Sequence, residues 1–188
     1  MTIEYDMNFI EIYDDALSLE NCDKLIEYFN NNPQMRGIVA TGKESPWEKS
    51  STELKDSLFT LHPLICELIL PTLHRYTEKY TEKYIPLANM EKWGVNDAFA
   101  LKKFEGEDEG FKAWHTEHGK SVPYRILVWM FYLNDAESGT EFFYHPNIES
   151  KKGRLVIWPA SWTHYHKGVT PNKGIKYIVS GWYSFINK

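Results

Sequence analysis

The chain has 188 residues, a net charge of -5 and 15% aromatic residues, among them 12 Tyr, 10 Phe and 7 Trp. That length supports one domain with a substantial core, and the aromatic excess favours pleated, half-buried strands. The negative charge argues against nonspecific binding to nucleic acid or an anionic membrane, and two cysteines are too few for a disulfide framework, so a reducing cytoplasm is expected.

The opening stretch, MTIEYDMNFIEIYDD, lacks the basic start and apolar run of a secretory signal, and no segment approaches a membrane span. Its alternation predicts a short strand over about 8–13. Ser18 can cap the helix that follows, in which Leu19, Cys22, Leu25, Ile26 and Phe29 recur at helical spacing until Asn30-Asn31-Asn32-Pro33 stops it. Residues 37–51 are polar and without period, a loop able to cover something. From Ser51, the residues Leu54, Leu58, Leu61, Ile65 and Leu68 form a second helical stripe, with Pro63 and Pro71 implying a kink or two shorter helices. The repeat Tyr76-Thr-Glu-Lys-Tyr80-Thr-Glu-Lys-Tyr84 puts its tyrosines on one helical face, which is expected to pack rather than to bind.

After Pro86 the pattern changes to short strands between turn residues, over about 98–104, 111–118, 125–133, 141–144, 154–158, 162–166 and 177–185. Seven such strands predict an α+β, mostly β protein. It would be a jelly roll over about 86–188, supported by helices over about 1–85, within a single domain.

The chemistry concentrates in FKAWHTEH and in WPASWTHYHKGVTPNKGIKY. His115 and Glu117 are two apart, so on a strand they leave from one face. With a distant histidine they make two imidazoles and one carboxylate, the facial set that leaves three positions of an octahedral Fe(II) open. Taken singly, His-x-Glu reads equally as an exposed pair on an edge strand. His164, Tyr165 and His166 read equally as an aromatic cluster, and the residues alone do not choose between the two histidines.

The order of elements resembles the prolyl 4-hydroxylase-like branch of the Fe(II)/2-oxoglutarate-dependent dioxygenases, and most nearly its compact versions encoded by bacteriophages. The stretches that carry the resemblance are His115-Thr116-Glu117, Arg125, Tyr132-Leu133-Asn134-Asp135 and Ser138-Gly139-Thr140-Glu141-Phe142. They continue with Lys152-Gly153-Arg154-Leu155-Val156-Ile157-Trp158-Pro159, His166, Gly174-Ile175-Lys176-Tyr177 and Gly181-Trp182. Together they run from about Ala98 to the C-terminus.

The resemblance implies the double-stranded β-helix form of the jelly roll, with His115, Glu117 and His166 as metal ligands and catalytic centre. Its spacings from Pro159 and Gly174 select His166 over His164. Lys176 would grip the far carboxylate of 2-oxoglutarate, helped by Tyr132, with Arg125 beside the site and Thr140 in the pocket wall. Fe(II), 2-oxoglutarate and O2 are the implied cofactor and co-substrates, with room for ascorbate as an auxiliary. The implied reaction hydroxylates an unactivated C–H bond and releases succinate and CO2.

Two departures stand out. Glu117 replaces the commoner Asp, and Phe104 replaces a tyrosine at the strand end before the metal motif, making the pocket more apolar there. The retained carboxylate leaves no vacant position for halide, which favours hydroxylation over halogenation. Trp114, Trp129, Phe131, Trp158 and Trp162 are candidates to line the cavity, most of them expected to belong to the core instead. His118 and His145 have weaker claims on the metal, and His62 and His74 belong to helices. The substrate is left open among a protein or peptide, with a peptidyl proline fitting the branch, and a small molecule. The loop 37–51 is a candidate lid. Two other functions remain at this level, a cupin-like metal-binding protein with non-oxidative activity and an inactive jelly roll acting as an interaction module.

Overall fold

The computed structural model of the chain describes residues 7–38, 44–56, 63–95 and 99–186. In chain order these form β1 (Glu11–Tyr13), α1 (Leu19–Asn31), β2 (Met35–Arg36), β3 (Lys49–Ser50), β4 (Thr52–Asp56) and α2 (Pro63–Lys83). After a 3-10 turn at Ile85–Asn89 come β5 (Trp93–Gly94), β6 (Phe99–Glu105), β7 (Gly110–Phe111), β8 (Arg125–Tyr132) and β9 (Gly139–Phe142). The last strands are β10 (Ile148–Glu149), β11 (Leu155–Pro159), β12 (His166–Val169) and β13 (Ile175–Phe185).

The main sheet runs β1-β11-β8-β13-β6-β4-β2, with β5 on the end of β13, and every pairing is antiparallel. A smaller sheet, β10-β9-β12, and the pair β3-β7 complete the jelly roll. The strand β8, RILVWMFY, is almost continuously apolar because it is buried on both faces. Leu127, Trp129 and Phe131 point into a core shared with α1 and α2, which also takes Leu25, Phe29, Leu73, Tyr80, Leu101, Leu155 and Val179. Val128, Met130 and Tyr132 point the other way, into a second cluster with Phe104, Phe142, Ile148, Val156, Trp158 and Ile178. Gly181 of β13 sits directly across from Trp129, and a Cβ there would run into the indole ring, so only glycine lets this large side chain lie flat on its neighbour.

The capping serine behaves as its position predicts, since Ser18 Oγ accepts from Asn21 N–H at 3.2 Å. The tyrosine repeat packs: Tyr80 and Tyr84 are buried with ring centres 4.7 Å apart, and Tyr76 lies 4.5 Å from Tyr13. Elsewhere the structure corrects the helical reading. Residues 52–56 form β4 rather than the start of a helix, because pairing with β6 uses a two-residue alternation in which Leu54 faces the helices and Glu53 the sheet interior. The helix begins at Pro63, where a proline's missing N–H costs nothing, and continues through Pro71 as one element. Leu58, Leu61, His62, Ala98 and residues 39–43 of the expected lid lie outside the described residues. The N-terminal half is more than helical support, since β1, β2 and β4 all join the main sheet.

Candidate metal and co-substrate site

The predicted strands around the ligands are shorter than expected. Residues 111–118 are mostly irregular after β7, and residues 162–166 are a 3-10 turn, Trp162–His164, leading into β12. His115 and Glu117 therefore do not owe their common direction to a regular strand. Two backbone hydrogen bonds, His115 N–H to His166 O at 2.9 Å and His166 N–H to His115 O at 3.0 Å, couple the two histidines directly. Glu117 N–H donates to Ala160 O at 3.2 Å, anchoring the carboxylate-bearing turn to the end of β11. From the other side, Glu48 O accepts from Lys112 N–H at 2.7 Å and Ala113 N–H at 3.0 Å, so the far end of the 37–51 loop braces the chain entering His115.

Each imidazole is oriented through its Nδ1, which donates to Ala113 O at 3.0 Å in His115 and to His164 O at 2.8 Å in His166. This leaves both Nε2 lone pairs for a metal. Phe111 stacks on His115 with ring centres 3.7 Å apart, while Trp158 meets the His166 ring edge-on at 5.3 Å. Glu117 Oε1 lies 3.4 Å from His115 Nε2 and 3.8 Å from His166 Nε2, and one ligand atom from each residue falls within 4.8 Å of the others. Glu117 Oε2 faces away, accepting from Trp182 Nε1–H at 3.0 Å with the Arg125 guanidinium 3.5 Å distant. Arg125 in turn lies flat on the Trp182 ring at 3.4 Å.

One carboxylate oxygen is thus held by the protein and one is left for a metal. Burial pushes the Glu117 carboxyl up, but the two histidines outweigh it and hold it well below the usual carboxylate range. Burial, with His166 beside it, lowers His115 and favours its neutral, ligating form. Two imidazole nitrogens and one carboxylate oxygen brought together suit a divalent iron with open positions.

These ligands open onto a cavity of about 50 Å³, also lined by Phe104, Tyr132, Thr140 and Lys176. Lys176 is buried, and its Nζ donates to Val169 O at 2.6 Å and Gly139 O at 3.2 Å. Burial pulls its ammonium down to about 7. It also lies 5.0 Å from the Phe104 ring centre, so the phenylalanine that stands in place of a tyrosine is a cation–π partner. The Tyr132 hydroxyl is 2.7 Å from Thr140 Oγ1, and burial raises its pKa.

Other predicted residues fall elsewhere. Arg125 stands at Glu117 and is not among the residues lining the cavity. His164 is buried with both ring nitrogens engaged: Nε2–H donates to Asn8 O at 2.8 Å and Nδ1 accepts from the Thr163 hydroxyl at 2.9 Å. Its carbonyl, not its ring, serves the site. His118 bonds Arg125 O, His145 stacks on His164, and His74 is exposed beside Glu78 on α2. Of the five aromatic candidates only Trp158 lines the cavity. Trp129 and Phe131 belong to the helix-side core, Trp114 stacks on Tyr165 and Trp162 is exposed. Trp182, Phe111, Lys102 and Ser180 escaped assignment, though Lys102 and Ser180 are an even number of residues from Phe104 and Lys176 on their own strands.

Residues 100–184 match the family model described as the 2OG-Fe(II) oxygenase superfamily. No curated protein matches the chain significantly by sequence. Among solved structures, a viral collagen prolyl hydroxylase from Paramecium Bursaria Chlorella virus-1 superposes with a TM-score of 0.69 at 18% identity, covering 96% of this chain and 98% of that one. A Pseudomonas putida prolyl-4-hydroxylase gives 0.73 at 11% identity over 94% and 93%. A Trichoplax adhaerens prolyl hydroxylase in complex with a hypoxia inducible factor peptide fragment gives 0.71 at 16% over 96% and 85%. Among the described residues no helix is long and apolar enough to cross a membrane. The family match over 100–184, a cluster that fits iron and a fold shared with prolyl hydroxylases together support a 2-oxoglutarate-dependent Fe(II) oxygenase.

Proposed function

We propose that the protein hydroxylates an unactivated C–H bond of a peptide, with a prolyl residue as the target, and that 1–188 work as one domain. The observation that carries this reading is the pairing of the His115–Glu117–His166 cluster with a buried ammonium, Lys176, in one cavity. His115, Glu117 and His166 would hold Fe(II). Bound iron, with 2-oxoglutarate and O2, supplies the oxidising power for hydroxylation, leaving succinate and CO2 as co-products.

The chain's own groups do the rest. Lys176, already stripped of water, forms a charge-assisted pair with the distal carboxylate of 2-oxoglutarate, and the Tyr132–Thr140 hydroxyl pair lies beside it. Trp182 and Arg125 hold one oxygen of Glu117 so that the other stays on the metal side. Phe111, Phe104 and Trp158 keep the cavity apolar and exclude bulk water. The peptide substrate is supported by the fold shared with the Trichoplax prolyl hydroxylase, which holds a peptide fragment, and the prolyl target by the fold shared with all three hydroxylases.

Anaerobic titration with Fe(II) and 2-oxoglutarate tests the reading. A metal-to-ligand charge-transfer band is expected, followed by succinate release on admitting air with a proline-containing peptide library. Neither band nor succinate would refute it.

A further inference from the structure

The tyrosine repeat of α2 sorts its residues onto different sides of the helix, and the oxygenase reading uses none of them. Tyr76, Tyr80 and Tyr84 turn towards β1 and the chain leading into it: Tyr76 packs on Tyr13, Tyr80 donates to Phe9 O at 2.7 Å, and Tyr84 donates to Glu11 Oε1 at 2.6 Å. The cations of this helix stay with the tyrosines. Arg75 and Lys79 lie over the Tyr76 ring at 4.8 and 5.0 Å, and Lys83 lies over Tyr84 at 5.5 Å while pairing with Glu11 at 2.6 Å. The Thr-Glu pairs of the repeat, Thr77-Glu78 and Thr81-Glu82, are left to line a groove of about 850 Å³ between α2 and the segment 85–95.

The floor of this groove is apolar. Leu73 and Tyr183 belong to the helix-side core, Leu70, Trp93 and Val95 pack against it, and Ile85 stands 66% exposed on the rim. The neutral polar groups of the wall are already bonded. The Thr77 hydroxyl donates to Leu73 O at 2.6 Å, the Thr81 hydroxyl to Thr77 O at 2.8 Å and the Trp93 indole N–H to Leu87 O at 3.0 Å. What the wall still offers is negative charge. Glu78 meets only the exposed His74 at 3.5 Å, and Glu82 pairs with no cation among the described residues. The two carboxylates are one helical turn apart, on the order of 6 Å.

A wholly apolar occupant would strand these carboxylates, and an acidic one, nucleic acid and anionic lipid included, would be repelled. An occupant that is apolar and cationic together answers both surfaces. We propose that the groove docks a basic amphipathic segment of a partner protein, its large apolar side chains on Trp93, Val95 and Ile85 and its Lys or Arg side chains on Glu78 and Glu82. The groove lies on the helix side of the main sheet, away from the cavity, so docking there is independent of the oxygenase reading.

The test selects a phage-displayed peptide library, diversified without charge bias, on the full-length protein and counter-selects it on the triple variant Glu78→Gln/Glu82→Gln/Ile85→Ser. The surviving peptides are expected to carry paired Lys or Arg beside Leu, Ile, Phe or Trp. A synthetic copy of the best peptide should lose about tenfold in affinity for Ile85→Ser and about fivefold for Glu78→Gln/Glu82→Gln. Glu107→Gln/Asp108→Asn removes the same charge from a distant turn and should change affinity by less than about twofold. Added salt should weaken the wild type and have little further effect on Glu78→Gln/Glu82→Gln. Selection of acidic or uncharged peptides overturns the proposal, as does an empty selection or a peptide that binds all variants alike. Sedimentation that shows a dimer of the wild type dissolved by Ile85→Ser also overturns it, because the occupant is then a second copy of the chain. If Ile85→Ser does not fold by circular dichroism, Glu78→Gln/Glu82→Gln serves for counter-selection and, with the distant control, decides. Every variant should keep the Fe(II)–2-oxoglutarate band, and a wild type without that band strikes the oxygenase reading alone.

Discussion

The two faces of the main sheet are made by the same strands and serve opposite ends. On the helix side Leu101, Trp129, Phe131 and Val179 are all but inaccessible and, the Trp129 indole N–H apart, apolar. On the cavity side the alternate residues of the same strands include Lys102, Tyr132, Lys176 and Ser180. A strand's two-residue period lets one element hold a dry core and a polar site back to back. Stability is therefore expected to reside on the helix side, while the cavity side carries groups that are costly to bury and useful when a ligand arrives.

The sharpest way to break this contrast is to cut one residue from each face. Phe131→Ala should cost about 3–5 kcal/mol in urea unfolding, because it leaves a cavity in the packed core. His166→Ala should cost only about 1 kcal/mol, the worth of its bond to His164 O, yet abolish the Fe(II)–2-oxoglutarate band. His164→Ala is expected to spare the band, since its ring nitrogens face Asn8 and Thr163.

Lys176→Met sharpens the comparison further. It should weaken 2-oxoglutarate binding by more than about tenfold while leaving Mn(II) affinity intact, read by calorimetry. Because burial depresses this lysine to about 7, the folded state resists protonation, so the wild type is penalised at low pH and relieved as pH rises from 7 towards the ordinary lysine value. The melting temperature of Lys176→Met should accordingly exceed that of the wild type at pH 6, with the gap closing above pH 7. If the Lys176 ammonium grips 2-oxoglutarate as proposed, the affinity of the wild type for it should fall by about tenfold per pH unit above 7. Lys176→Arg should flatten that profile.

Smaller effects follow from groups that only orient others. Trp182→Phe removes the donor to Glu117 Oε2 and should cost about tenfold in metal affinity, measured by competition with a chelator, with little change in unfolding. Smallest is Asp14→Asn at the surface. Arg154 and Lys151 hold that carboxyl down to about 2, so its contribution is present at neutral pH and is lost only as pH falls from about 4 towards 2. The three side chains are partly exposed, and solvent screening should keep the loss below about 1 kcal/mol by urea unfolding.

Much of the fold and site was legible in the linear order. Strands such as β8 and β13 announce themselves by composition, and the helix after Ser18 by its cap and period. What misled was local pattern where tertiary pairing won. Residues 52–56 continue a helical stripe on paper but are pulled into β6 by cross-strand pairing, and 162–166 look like a strand until Thr163 and His164 turn to bond each other and Asn8. The contacts of Trp182 and Lys102 were hidden because they depend on which residue folds up beside each, 65 positions away for Glu117 and 78 for Ser180.

The sequence by itself determined the candidate ligand types, a histidine and a carboxylate at His115 and Glu117 with a second histidine at His164 or His166, and their order relative to Lys176, because chemistry depends on residue identity and strand periodicity on adjacency. Only the tertiary structure decided how Glu117 is used and which histidine faces the cavity. It does so by pairing His115 with His166 through their backbones, giving one Glu117 oxygen to Trp182 and Arg125, and turning His164 towards Asn8. Those choices are made by contacts between distant segments, which no local pattern encodes.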